Sequence, residues 1–244
     1  MHPVDRIIGD LSILRHLLRG MPRRASHAER LQAFYAPQAA RYDAFRERLL
    51  AGREELIAAL RPAPGSRVVE LGAGTGRNLG HFGDALRSFA SVELVELCPA
   101  MAERARSRTN GLPNVRVIEA DAARHRPDAP ADCVYFSYSL TMIPDWRAAI
   151  ANAIAMLAPG GRLGVVDFYV SPRRAPANAA QHSAFTRRFW PMWFAHDGVR
   201  VDAEHLPALR RALPDHAVAE RRAPLPYLPG LRAPYYVFVG AKPA

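Results

Sequence analysis

The sequence predicts an α/β fold in which a mostly parallel sheet carries helices on both faces and ends in an antiparallel hairpin. Three observations predict it. Five short β-rich runs lie at 67–71, 91–97, 114–120, 132–139 and 161–170. Helix-period segments at about 76–88, 99–109 and 145–157 fall between most of them, the alternation that builds parallel sheets. Two further strand-like runs, 216–225 and 233–241, are joined through "PYLPGLR" and read as a hairpin closing the sheet, which makes seven strands.

In chain order, residues 1–24 place Val4, Ile7, Ile8, Leu11, Leu14, Leu17 and Leu18 on one helical face, with Arg6, Arg15 and Arg19 on the others. Such a basic amphipathic helix lies on an anionic membrane surface or docks on protein; both readings stand. "MPRRASHAER" reads as a linker whose Ser26 and Glu29 form a capping box for the next helix. The helical period then runs from Leu31 to Leu60, broken near Pro37 and ended by "RPAPGS". Residues 171–214 interrupt the strand–helix alternation with a Pro-broken, aromatic helical insertion. The chain therefore divides into an N-terminal helical extension, 1–60, and a domain, 61–244, that contains the insertion.

At 244 residues and 27.0 kDa the chain is long enough for one large domain. Its formal charge of +10 fits an anionic partner. Yet Lys242 is the one lysine among 33 basic residues, which points equally to genomic bias. No nucleic-acid-binding motif accompanies the charge, so nucleic acid is an unlikely partner. No signal-type segment and no long apolar run occurs, so we expect a cytoplasmic protein, with the basic helix offering peripheral attachment to the inner face of a membrane. Cys98 and Cys133 have neither redox nor metal spacing and are assigned to packing; no metal is expected.

The chemistry gathers around "ELGAGTGRN", residues 70–78. A dinucleotide fingerprint requires G-x-G-x-x-G, but its third glycine position is Arg77 and Gly76 falls one residue early. The spacing E-x-G-x-G-x-G resembles the first motif of class I S-adenosylmethionine-dependent methyltransferases. Neighbouring segments agree: "VELC" ends the second strand with Glu96, "IEAD" ends the third at Asp121, and "LAPGGRL" turns a helix into the fifth strand. The resemblance implies a Rossmann-like fold binding S-adenosylmethionine, with S-adenosylhomocysteine as product. Its implied cofactor residues are Glu70, Gly72, Gly74, Gly76, Asn78, Glu96, Asp121 and Ser137. Physical chemistry supports it, because a sulfonium and an ammonium favour carboxylates whereas a pyrophosphate does not.

"SYSLTMIPDW", 137–146, follows the fourth strand at the sheet edge where such folds bind ligands, and lacks the Asn/Asp-Pro-Pro-aromatic signature of enzymes acting on amide or base nitrogens. Together with "RLQAFYAPQAARYDAFRERLLAGREEL" (30–56), "GTGRNL" (74–79) and "RRFWPMWFAHDGV" (187–199), it is similar to the betaine-lipid methyltransferases, which trimethylate the homoserine amine of diacylglyceryl-homoserine. That resemblance implies a lipid-headgroup acceptor and an N-terminal cofactor lid. Tyr138, Tyr35 and Tyr42 are the candidate catalytic residues, and Trp146, Trp190 and Trp193 candidate acceptor contacts, since aromatic faces hold a methylated ammonium. Core packing competes for each of them. His182, His196 and Asp197 are possible proton acceptors in the insertion. Rival readings are a phosphatidylethanolamine N-methyltransferase, a quinone C-methyltransferase and a catalytically silent cofactor-binding partner; the oligomeric state is not legible.

Overall fold

The computed structural model describes residues 26–36, 49–176, 179–225 and 228–244. The basic segment 1–24 and Tyr42 lie outside the described residues.

Two helices precede the sheet, α1 (His27–Tyr35) and α2 (Arg53–Leu60). The capping box read from sequence starts α1: Glu29 N–H donates to Ser26 Oγ at 3.1 Å and Ser26 N–H to Glu29 Oε2 at 3.1 Å. The strands are β1 (Arg67–Leu71), β2 (Ser91–Glu96), β3 (Val115–Glu119), β4 (Ala131–Ser137), β5 (Leu157–Phe168), β6 (His216–Leu225) and β7 (Leu228–Ala241). They form one sheet in the order β3-β2-β1-β4-β5-β7-β6, with β7 antiparallel to β5 and β6 and the remaining pairs parallel. The expected fold class is thus observed, including the closing hairpin. The order reverses at β1/β4, and open parallel sheets bind ligands at that point, beyond the strands' carboxyl ends.

Helices α3 (Pro99–Thr109) and α4 (Trp146–Met156) connect parallel strands, and α5 (Ala184–Ala195) and α6 (His205–Ala212) make up the insertion. Residues 77–88, read as α-helical, form a 3-10 segment that Gly83 breaks with a φ of 55°. Strand alternation sends Val68 and Glu70 to one face of the sheet and Val69 and Leu71 to the other. The first face carries α2, the 3-10 segment and, through Trp190 and Phe194, α5; the second packs α4 and α6. Cys98 and Cys133 are buried and free, as their packing assignment requires. Among the described residues no helix is long and apolar enough to cross a membrane, and no cluster of His, Cys, Asp or Glu could hold a metal ion.

One buried carboxyl gives the fold a pH signature. Asp167 on β5 is fully buried, accepting from the Thr141 N–H (3.0 Å), the Thr141 hydroxyl (2.8 Å) and the Phe168 N–H (2.8 Å). Burial outweighs these bonds and pushes its pKa up to about 6. A carboxyl raised on folding stabilises fully below its unfolded value, near 4, and loses that contribution as pH rises through about 6. Asp167→Asn, which cannot ionise, should therefore remove roughly 1–3 kcal/mol of the stability lost between pH 4 and pH 7. Denaturant unfolding of both proteins at the two pH values checks this; other titrating groups, such as buried His205, cancel in the difference.

Candidate functional site

The glycine turn after β1 is shaped by what approaches it. Gly72, Gly74 and Gly76 have φ of 74°, 58° and 69°, a region that side chains disfavour. At Gly72 space also decides: a Cβ there would sit 2.5 Å from Ser139 Cβ. Ser139 belongs to the loop after β4 and donates to the Leu71 carbonyl at 2.6 Å, so the two loops close against each other. The Gly72 and Ala73 N–H groups both donate to the Val95 carbonyl, which pins the turn to β2.

Glu96, at the tip of β2, is buried and fixed. Its Oε2 accepts from Gly74 N–H at 2.7 Å and its Oε1 from Cys98 N–H at 2.8 Å. Asp121, beyond β3, caps its own turn by accepting from Ala123 N–H at 2.9 Å. Between these acids lies a cleft with a cavity of about 230 Å³, walled by Gly72 and Gly74, by Leu97, Met101 and Ala122, and by Tyr138, Ser139 and Met142 to Asp145. Helix α1 covers one side with His27, Leu31 and Tyr35. Gln32 Oε1 secures that helix, accepting from the Ala100 N–H at 3.0 Å and from the Cys98 thiol at 3.2 Å. Burial, followed by Arg30, lowers the pKa of the His27 imidazole from its ordinary value and favours its neutral form.

The lining charge is selective. Among the described residues Glu96, Asp121 and Asp145 line the cleft, and no lysine or arginine does, in a chain with 33 of them. Such a wall disfavours a pyrophosphate and suits a cation. It also offers an apolar slot beside a carboxylate, which fits an adenine and its ribose diol.

Other residues singled out by sequence are placed differently. Glu70 does not line the cleft: it is fully buried behind the turn, accepting from Asn78 Nδ2 at 2.6 Å and from the Tyr135 hydroxyl at 2.8 Å. Asn78 also accepts from buried Arg53 at 3.4 Å. Strand alternation points Glu70 at the face under α2 and the 3-10 segment, where these bonds support the turn. Asn78 belongs to the same buried chain, and Gly76 packs beside Leu94 and Ala105 rather than in the wall. Ser137 is buried outside the cleft lining.

Tyr138 does line the cleft, and its backbone has a φ of 54°, strain of the kind that gathers at functional sites. Its hydroxyl donates to the Ala51 carbonyl at 2.6 Å, so it presents its ring rather than its phenol. Trp146 is buried under the loop against His205, with ring centroids 4.5 Å apart, and is not one of the residues that wall the cleft. Trp190 is buried on the inner face of α5 and Trp193 is exposed on its outer face. His182 is structural: its Nδ1 accepts from Ser171 N–H at 2.9 Å. Sequence reasoning missed His27, Leu31, Met142 and Ser139; of these Ser139 and Met142, inside the quoted loop after the fourth strand, carried a positional signal.

Comparison with known proteins decides the family. The Methyltransferase domain family matches residues 42–213, more than half of the chain. The chain belongs to that family. It is an S-adenosylmethionine-dependent methyltransferase. Among its relatives, the ubiquinone/menaquinone biosynthesis C-methyltransferase UbiE of Pseudomonas savastanoi pv. phaseolicola is 27% identical over 174 residues, covering 68% of this chain and 67% of that one. Among solved structures, Haemonchus contortus phosphoethanolamine N-methyltransferase 2, complexed with phosphomonomethylethanolamine and S-adenosylhomocysteine, has a TM-score of 0.70 at 13% identity, covering 91% of this chain and 61% of that one. The YcgJ protein of Bacillus subtilis has a TM-score of 0.61 at 16% identity, covering 79% and 98%. At these identities the structural likenesses speak for the fold.

Proposed function

We propose that this methyltransferase acts on the amine of a lipid headgroup, carrying diacylglyceryl-homoserine to its trimethyl betaine form. The observation that supports this reading is the wall of the cleft, which among the described residues carries three carboxylates and no arginine. When bound, S-adenosylmethionine supplies a methyl carbon attached to a positively charged sulfur. In the displacement the carbon–sulfur bond breaks as a carbon–nitrogen bond forms, so positive charge moves from sulfur to nitrogen. Residues that hold a cation therefore serve both ends of the reaction.

In this reading Glu96 and Asp121 hold the cofactor, with Gly72 and Gly74 allowing its close approach. The rings of Tyr35 and Tyr138 face the acceptor, because aromatic faces accommodate an ammonium that loses its hydrogen-bond donors as methyl groups are added. The acceptor amine arrives deprotonated, and most of the acceleration comes from alignment. Carbon methylation of a quinol is the second reading, favoured by the 27% identity to UbiE. It passes through a phenolate, and three carboxylates beside an oxyanion oppose that charge.

Labelled S-adenosylmethionine, incubated with the full chain and with either the unmethylated homoserine lipid or a prenylated quinol, separates these readings. We expect label in the polar headgroup, with mass gains in multiples of one methyl. Label confined to the ring overturns the proposal, and cofactor binding without transfer to either acceptor overturns both readings.

A further inference from the structure

Among the described residues nothing covers the apolar stripe on the outer face of α5. Phe185, Met192 and Trp193 are 66%, 72% and 44% exposed, and Phe189 stacks between Phe185 and Trp193 with centroids 5.2 and 5.8 Å away. Clustered large apolar side chains at a surface mark an interaction site. The inner face of the same helix leads to the cleft: Trp190 stacks on Phe194, Phe194 on Phe168 at 4.3 Å, and Phe168 meets Tyr138 of the cleft wall at 4.7 Å. The chain leaving α5 returns to the loop after β4, where Arg200 N–H donates to the Thr141 carbonyl at 2.8 Å. The segment that follows α5 is thereby tied to the loop that walls the cleft.

Charge decides what can cover it. Between Asp167 and Asp197 the sequence contains no carboxylate and four arginines, Arg173, Arg174, Arg187 and Arg188. Arg188 is exposed one turn from Phe185 and from Met192, in the middle of the aromatic stripe. A second copy docked about a twofold axis would bring Arg188 and its neighbours against themselves. The N-terminal segment 1–24 is itself basic, with five arginines against two aspartates. An anionic lipid surface instead satisfies both features, taking the aromatic side chains into its interface and pairing phosphates with arginine.

We propose that α5 docks the enzyme on an anionic bilayer through Phe185, Phe189, Met192, Trp193 and Arg188, setting the cleft beside the headgroup layer. This deepens the lipid-acceptor reading and rests on it for its purpose.

The test is sedimentation of the full chain with vesicles of phosphatidylcholine alone or mixed with phosphatidylglycerol. The wild type should partition onto the mixed vesicles, with a blue shift in tryptophan emission, since Trp193 is exposed whereas Trp146 and Trp190 are buried. Phe185→Ser combined with Trp193→Ser should weaken partition by roughly tenfold or more. Met192→Ser alone gives a second variant at an exposed position, and Arg188→Glu should reduce the preference for phosphatidylglycerol by about fivefold or more.

Unchanged partition of the serine variants, equal binding of wild type to both vesicles, or self-association that the variants abolish without vesicle binding would each overturn the docking face. Partition requires no acceptor. Vesicle binding without methylation of the amine lipid defeats the proposed function and leaves the docking face standing, whereas methylation in detergent micelles without vesicle binding does the reverse.

Discussion

Glu96→Ala should weaken binding of S-adenosylhomocysteine by about a hundredfold, read by titration calorimetry. The carboxylate accepts from the Gly74 and Cys98 N–H groups, which fixes it at the rim of the cleft. Two charge-assisted bonds to a ribose diol contribute roughly 3 kcal/mol together, and that figure converts to the stated factor. Glu96→Gln keeps the shape and one acceptor oxygen but loses the charge, so about a tenfold loss is expected. The deficit should fall mainly on the KM for the cofactor rather than on kcat, because the diol is remote from the transferred methyl. Binding of Glu96→Ala within about threefold of wild type would mean that the diol is not held here, and the assignment would be abandoned.

Much of this cleft is legible in the amino-acid sequence. Residues whose role follows from chain position alone are placed as expected: Gly72 and Gly74 after β1, Glu96 at the end of β2, Asp121 after β3 and Tyr138 after β4 all line it. Each sits at a strand's carboxyl end, and a β-rich run closed by glycine or a turn residue announces such an end. Side-chain direction is what the sequence does not carry. Glu70 and Asn78 belong to the motif, yet both point into the face beneath α2, and the Glu70–Tyr135 pair becomes visible only once β1 and β4 are in register.

The placement of the aromatic residues is not legible for a related reason. Helical spacing marks an amphipathic face without naming what covers it. Trp146 and Trp190 turn inward, whereas Trp193 stays outside. The strand boundaries show local signals yielding to pairing. "PYLPGLR" reads as the connection before a strand that starts at Ala233, yet β7 runs from Leu228, because Ala233, Pro234 and the residues before them pair with β6 while pairing with β5 begins at Tyr235. With one edge unpaired, proline costs no ladder bond there. Likewise "LAPGG" looks like a turn and still opens β5, across an irregularity in its pairing with β4.

Glu70→Ala should be the most destabilising of the substitutions at the site, with a loss of about 3–5 kcal/mol, the range for breaking a buried charged network from one side. The carboxylate receives bonds from Asn78 and Tyr135, and Asn78 is in turn held by Arg53, which is 8% exposed and also donates to the Leu50 carbonyl at 3.1 Å. Burial, and then Glu70 itself, raises the Tyr135 phenol well above its ordinary pKa, so the tyrosine is the proton donor across the pair. Alanine would leave the Tyr135 phenol and the Asn78 amide without this acceptor in the interior, and would loosen the amide that Arg53 holds. For a chain of this length the loss corresponds to a Tm drop of roughly 10 °C. Support and direct ligation make opposite demands on Glu70→Gln. If Glu70 supports the turn, the melting temperature falls while protein kept folded at low temperature binds S-adenosylhomocysteine within about threefold of wild type. If it contacts the cofactor, affinity falls while stability holds. A double-mutant cycle with Tyr135→Phe gives the second criterion: coupling of about 0.5–3 kcal/mol is expected between partners that share a buried bond, and additive losses would place Glu70's contribution elsewhere.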